Sequence, residues 1–196
     1  MPRISHRWAI YDLEVTLRGS EPRIWRRVLV PGATTLDRLH EIVQAMMLWE
    51  GYHLYEFQVG GGEEGYGATR YGVYEPTFAD EEPPIDAART TLADSAPAVG
   101  ATFVYAYDFG DNWRHDIAVR SIERPDKRRP YPLCVAGERA GPPEDCGGVW
   151  GYRDLLATLE RGRGEEYDDL LIWLGGDFDP NGFDRNTINR RLRALR

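Results

Sequence analysis

The hydrophobic period of the chain changes twice within residues 8–74, and few folds accommodate the resulting order of elements. Residues 8–17 (WAIYDLEVTL) and 24–30 (IWRRVLV) alternate apolar and polar positions as strands do, with Gly19 and Pro22 in the turn between them. From Leu36 the spacing becomes helical. Leu36, Leu39, Val43 and Met46 or Met47 share one face up to residue 47, with Thr34 as the expected cap and Asp37 three residues on. HLYEFQV (53–59) and ATRYGVY (68–74) return to strand composition around the glycine-rich link 60–67. Strand, strand, helix, strand, strand predicts an α+β fold whose first half is a β-grasp-like unit.

A second period-two pair, YAYDFGDNWRHDIAV (105–119), predicts a β-hairpin that extends this sheet. Its connection, Asp108-Phe109-Gly110-Asp111-Asn112, has turn composition, with Gly110 expected in the left-handed conformation. Alternation beyond the turn groups Trp113, His115, Ile117 and Val119 as inward residues, an odd setting for an imidazole. Residues 75–100 and 123–148 are broken by Pro and Gly and read as irregular, the first as an exposed loop with room for one short helical turn, the second excluding helix and central strand. Long irregular segments of this kind often carry function. Three helices follow. Tyr152, Leu155, Leu156 and Leu159 mark one that stops at Gly162, and Tyr167, Leu170, Leu171 and Leu174 mark one that stops at Gly175 and Gly176. The last points Ile188, Leu192 and Leu195 inward and Arg190, Arg191, Arg193 and Arg196 outward. This helical C-terminal third is expected to pack on the sheet, with residues 1–196 forming one domain.

A hydrophobic content of 42% with six Trp suits a folded core, to which most of the Trp are assigned. Tyr71, Tyr74, Tyr105, Tyr107 and Tyr131 stand beside irregular loops and could line a groove. No apolar run approaches a membrane span, and the chain enters strand-like sequence from its start, so a cytoplasmic location is expected. Cys134 and Cys146 then read as reduced thiols. A net charge of -8 disfavours a phosphate backbone as ligand.

Chemistry concentrates around the hairpin. Asp108, Asp111 and His115 could be joined by Glu144 and Asp145 of the PPED turn, and by Asp177 and Asp179 of GGDFDP. Carboxylates with an imidazole can hold a divalent metal or carry acid and base steps. Alternatively Asp108 and Asp111 bond the turn backbone while His115 packs beside Trp113. His53 supplies another imidazole, so the metal set under consideration is His53, Asp108, Asp111 and His115. A zinc set of His53, His115, Cys134 and Cys146 is weaker, because no C-x-x-C pair is present. No other cofactor is implied. His40, at the edge of the first helix's apolar stripe, reads as a packing residue. Asp108-Phe109-Gly110 lacks every companion motif of a kinase, and residues 60–67 lack the Lys-Ser/Thr of a phosphate loop. Neither the four serines nor the two cysteines can be paired with a base from sequence.

Four ordered blocks, PRIWRRVLVPGATTLDRLHEIVQAMMLWEGYHLYEF, YAYDFGDNWRHDI, YPLCVAGERAGPPEDCGGVWGY and FDPNGFD, resemble the plasmid pRiA4b ORF-3-like family, from about Tyr11 to Leu195. The resemblance implies a single α+β domain and a link to mobile DNA, some members being labelled as resolvase-type proteins. Ser5 and Ser20 lack the arginine-rich setting of a serine recombinase, and His115 is the last histidine, so no late Arg-His-Arg set exists. Tyr55 stands where the family has a second His and Gly141 where it has a Cys, and no His lies near Glu165 or Tyr167. His53, Asp108, Asp111, His115, Glu144 and Asp145 still match. The expected function is a non-enzymatic binding or accessory module of this family, presenting the 108–115 turn and the 131–152 loop to a protein or small-molecule partner. The alternatives are a metal-dependent hydrolase or nuclease using Asp108, Asp111 and His115 with His53 assisting, and a resolvase-type recombination protein.

Overall fold

The computed structural model describes residues 5–61, 66–73 and 82–195. In chain order these form β1 (Ile10–Leu17), β2 (Trp25–Pro31), α1 (Leu36–Met47), β3 (Tyr55–Val59), β4 (Thr69–Gly72), β5 (Ile85–Asp86), α2 (Leu92–Ser95), β6 (Thr102–Tyr107), β7 (Trp113–Glu123), β8 (Leu133–Glu138), α3 (Gly148–Arg161), α4 (Glu165–Leu174) and α5 (Arg185–Ala194). The strands make one eight-stranded sheet in the order β5-β4-β3-β6-β7-β1-β2-β8, antiparallel except for the β4–β5 pair. The α+β class stands. The β-grasp-like arrangement is not confirmed, because the β1–β2 and β3–β4 hairpins do not adjoin and the β6–β7 hairpin lies between them. Element order along the chain matches that unit, but pairing of distant edges decides the topology.

Period two survives as two faces. Trp113, His115, Ile117 and Val119 of β7 are buried, together with Phe103, Tyr105 and Tyr107 of β6 and Phe57 of β3. Leu36, Leu39, Ile42, Val43, Met46 and Met47 of α1 cover this face. The residue before α1 is Thr35, one position later than the expected cap, and its hydroxyl donates to the Asp37 carboxylate. The hairpin turn also differs from expectation. Asp108 and Asn112, both at φ 53°, take the left-handed conformation and Gly110 does not, a substitution that Asp and Asn tolerate best among side-chain-bearing residues.

The segment 123–148 contains β8, at the sheet edge where proline is admissible. Described residues 82–100 contain β5, a 3-10 turn and α2, the last closed by a reciprocal Thr91–Asp94 capping box. α5 packs against α1 and β8, while α4 packs against α3 and has no fully buried residue. The aromatic assignment needs correction. Trp49 and Trp113 are buried, whereas Trp8, Trp150 and Trp173 are exposed. Tyr105 and Tyr107 belong to the core rather than a groove, and Tyr74 and Arg196 lie outside the described residues. No helix among the described residues is long and apolar enough to cross a membrane.

Candidate functional site

Three loops meet at one end of the core face: residues 49–54 after α1, the 108–112 turn, and residues 142–147 before α3. Their junction is fastened mainly by backbone groups. The Trp49 indole donates to the Pro142 carbonyl (2.7 Å), the Glu50 N–H to Glu144 Oε2 (2.7 Å), and the Gly147 N–H to Asp111 Oδ2 (3.0 Å). The Tyr107 hydroxyl donates to Glu144 Oε1 (2.6 Å), and burial followed by this bond raises the phenol pKa, so it stays a donor. Both Glu144 oxygens are therefore engaged. Asp108 Oδ1 accepts from the Gly110 and Asp111 N–H groups (3.0 and 3.3 Å), the turn role expected of it.

These ties leave His53, Asp108 and Asp145 with ligand atoms facing one another, all within 4.8 Å. His53 Nε2 lies 2.8 Å from Asp145 Oδ1 and 3.7 Å from Asp108 Oδ2. Asp145, like Asp108, is left-handed (φ 58°). The Tyr107 ring packs edge-on against the His53 imidazole at 5.8 Å, limiting its rotation. One imidazole and two carboxylates around a small volume suit a divalent cation such as Mn²⁺ or Zn²⁺, with coordination positions left open.

Of the expected metal set, His53 and Asp108 come together, and Asp145 joins them from the expected binding surface. His115 does not. It is fully buried, and its ring packs on Trp49 (5.5 Å, edge-on) and Tyr105 (5.6 Å). Although the Tyr105 backbone is near, neither ring nitrogen makes a hydrogen bond of ordinary geometry, and burial pushes the imidazole pKa down to about 3. Asp111 is also outside the group, held by the Gly147 N–H. Asp179 caps its own turn by accepting from Asn181, and Asp177 lies in a hollow beside Leu156 and Leu159. The proposed zinc set does not assemble among the described residues. Both cysteines are free, and burial raises Cys134 to about 11 and Cys146 to about 12, so neither is a ready thiolate.

The way the site is held together was not legible in the sequence. Trp49 ties the first loop to Pro142 and Tyr107 packs against His53, roles no local pattern announces; Asp145 is among the sequence candidates, but its 92-residue separation from His53 leaves no spacing signal for their meeting. Arg191, expected to point outward, donates to the Trp49 carbonyl (3.0 Å) and to Glu50 (2.8 Å), bracing the first loop from α5. His40 is indeed a packing residue, stacked on Tyr55 at 3.8 Å, but its Nδ1 also meets the Tyr105 hydroxyl at 2.6 Å.

Two glycines set how closely the loops approach. A Cβ on Gly141 would lie 2.3 Å from the Met47 carbonyl oxygen, and one on Gly148 2.3 Å from the Asp111 carbonyl oxygen. Gly148 also has φ +67°. Gly148→Ala is therefore expected to cost about 3 kcal/mol, combining left-handed strain with a backbone clash. Chemical denaturation should register this loss; stability within about 0.5 kcal/mol of the parent would show that the junction yields freely.

The family profile described as "Plasmid pRiA4b ORF-3-like protein" matches residues 9–187. A protein of Sinorhizobium fredii (strain NBRC 101917 / NGR234), "Uncharacterized protein y4hQ", is 37% identical over 191 residues, covering 95% of this chain and 92% of the relative. The crystal structure of a Methanosarcina mazei Go1 protein, "Protein of Unknown Function MM3350", superposes with a TM-score of 0.80 at 38% identity. That match covers 90% of this chain and 96% of the other.

Proposed function

We propose that this chain, which belongs to the plasmid pRiA4b ORF-3-like family, is a one-domain binding module whose recognition site is a divalent cation held by His53, Asp108 and Asp145. The observation that carries the reading is the convergence of those three ligand groups, from three loops, within 4.8 Å. A cation there would keep open positions for a donor group of the partner. Both Glu144 oxygens and Oδ2 of Asp111 fasten the loops, so these two residues shape the site while the three-ligand group lies apart from them. Two free cysteines accord with a cytoplasmic setting. The link to mobile DNA rests on the family resemblance, and the net charge of -8 argues for an indirect one.

Titration calorimetry of the metal-free protein with Mn²⁺ and with Zn²⁺ tests the proposal. One saturable site is expected, weakened about tenfold or more by His53→Ala and by Asp145→Asn, a loss of at least ~1.4 kcal/mol each. Asn is the suitable replacement because it keeps both shape and tolerance of the left-handed backbone. His115→Leu should leave the affinity unchanged. Absence of saturable binding to about 1 mM, or full affinity in His53→Ala, would remove the site.

A metal-dependent hydrolase is the second reading, favoured by the open coordination positions, where a bound water could be activated. It ranks lower because Glu144, an acid of the same loop junction that could serve as a base, has both oxygens engaged.

A further inference from the structure

The opposite face of the sheet carries a cleft of about 350 Å³ that His53 and Asp145 do not line. Its floor follows from strand register. Gly72 of β4 pairs with Glu56 of β3, Glu56 with Ala106 of β6, and Ala106 with Arg114 of β7. Long side chains thus alternate with a hydrogen and a methyl group across four strands. Strands are spaced by about 4.8 Å, so Glu56 and Arg114 stand about 10 Å apart at the backbone, with the hollow between them.

Charge in this floor is uneven. Glu56 is paired with Arg70 (2.8 Å) and accepts from the Gln58 amide (2.9 Å). Arg114 donates only to Gln58 Oε1 (2.7 Å), has no carboxylate partner among the described residues, and keeps a buried Nε without an acceptor. Nearby Asp116 is already held by Arg18. Glu82 sits at the rim, exposed, with its carbonyl accepting from Arg70. Above the floor, Phe109 and Val73 are half-exposed, and Pro83 and Pro84 complete an apolar wall. A guanidinium with spare donors at one end and an apolar wall along the side select a planar oxyanion on an apolar body.

We propose that this cleft is a second ligand site, which takes a small carboxylate with an aromatic or branched apolar body, its carboxylate on Arg114 and its body against Phe109 and Val73. The cleft shares no lining residue with the cation site, so either proposal can fail alone.

Benzoate is the probe, with benzyl alcohol and inorganic phosphate as controls that each retain one half of the chemistry. Ligand-observed NMR should show saturable benzoate binding with a Kd near or below about 1 mM, and at least tenfold weaker binding of both controls. Arg114→Met, which keeps the length and loses the charge, should weaken benzoate at least tenfold. Ala106→Val fills the floor from below and should exclude benzoate, with circular dichroism and thermal unfolding confirming the fold of each variant. No saturable benzoate binding to about 10 mM overturns the proposal. So does equal binding of benzyl alcohol or phosphate, or full affinity in both folded variants.

Discussion

Lowering the pH from 7 to about 4.5 is expected to cost about 5 kcal/mol of folding stability, about half from each of two histidines, the buried His115 and the partly buried His40. Burial, the largest cause in both, holds His115 at about 3 and His40 at about 4 against an ordinary value of 6.5. The Arg26 charge pushes His115 down further, whereas Asp116 opposes the shift, as Asp37 does for His40. Because both folded values lie below the unfolded one, the unfolded chain binds more protons in this window. The stabilisation is complete above pH 6.5 and is lost as the pH falls towards 3 to 4. Asp94 and Asp184, held low chiefly by side-chain hydrogen bonds from Thr91 and Thr187, lose stability in the same direction. Domains have about 5–15 kcal/mol in all, so the protein should approach its unfolding midpoint near pH 4.5. Urea denaturation at three pH values measures the slope. His115→Leu should remove about half of it and raise stability at pH 7 by about 1 kcal/mol, since two unpartnered ring nitrogens leave the core. A slope unchanged by that substitution would mean that the buried imidazole is not what resists protons.

Arg26→Met is expected to cost about 3 kcal/mol, even though the replacement is apolar, similar in length and almost wholly buried. Arg26 is 1% exposed, and its guanidinium lies over the Phe183 ring at 5.1 Å. It donates through Nε to the Met46 carbonyl (3.1 Å), and through Nη1 to those of Trp25 and Glu138 (2.8 Å each). No carboxylate among the described residues pairs with it, and burial lowers its pKa to about 10, leaving it charged at neutral pH. Two effects oppose each other. Removing a buried charge relieves desolvation, which in buried ion pairs often makes apolar replacements neutral or better. Here, however, the substitution strands three carbonyls at about 1–3 kcal/mol each, one of them in the last turn of α1, where unsatisfied carbonyls gather. The second effect should win. The melting temperature should fall by about 6–12 °C. Arg26→Lys should recover less than half, since a single ammonium cannot span carbonyls arranged around a planar fork. A Met variant as stable as the parent would show that charge burial outweighs the three bonds.

Arg26 also shows how much of the fold was legible in one dimension. Ile24, Arg26, Val28 and Val30 occupy successive inward positions of a period-two strand, so its burial could be read from the pattern. The carbonyls that hold it belong to α1 and β8, and nothing in the local sequence announces them. Strand periodicity likewise placed His115 inward, and helical spacing ended α1 at Met47 and the next two helices at Gly162 and Gly175. The reading failed where the backbone itself was the partner. β8 was hidden by Pro and Gly, and the left-handed turn positions fell on Asp108 and Asn112.

The candidate cation site divides in the same way. Residue chemistry nominated His53, Asp108, Asp111 and His115 as a metal set, with Glu144 and Asp145 as neighbours on the same candidate binding surface. Within that list, only tertiary contacts assigned roles: His115 to a dry aromatic layer, Asp111 and Glu144 to fastening loops, and the remaining three to one another. Sequence alone determined the α+β class, the inward and outward faces of the strands and the C-terminal stops of α1, α3 and α4. These depend on hydrophobic periodicity and on Gly stops, both of which act over a few residues. The placement of β6–β7 between two earlier hairpins, the meeting of His53 with Asp145, and the hollow over Ala106 between Glu56 and Arg114 were decided by the tertiary structure. Each depends on which distant edges pair, and on backbone groups that every residue carries and no residue type identifies.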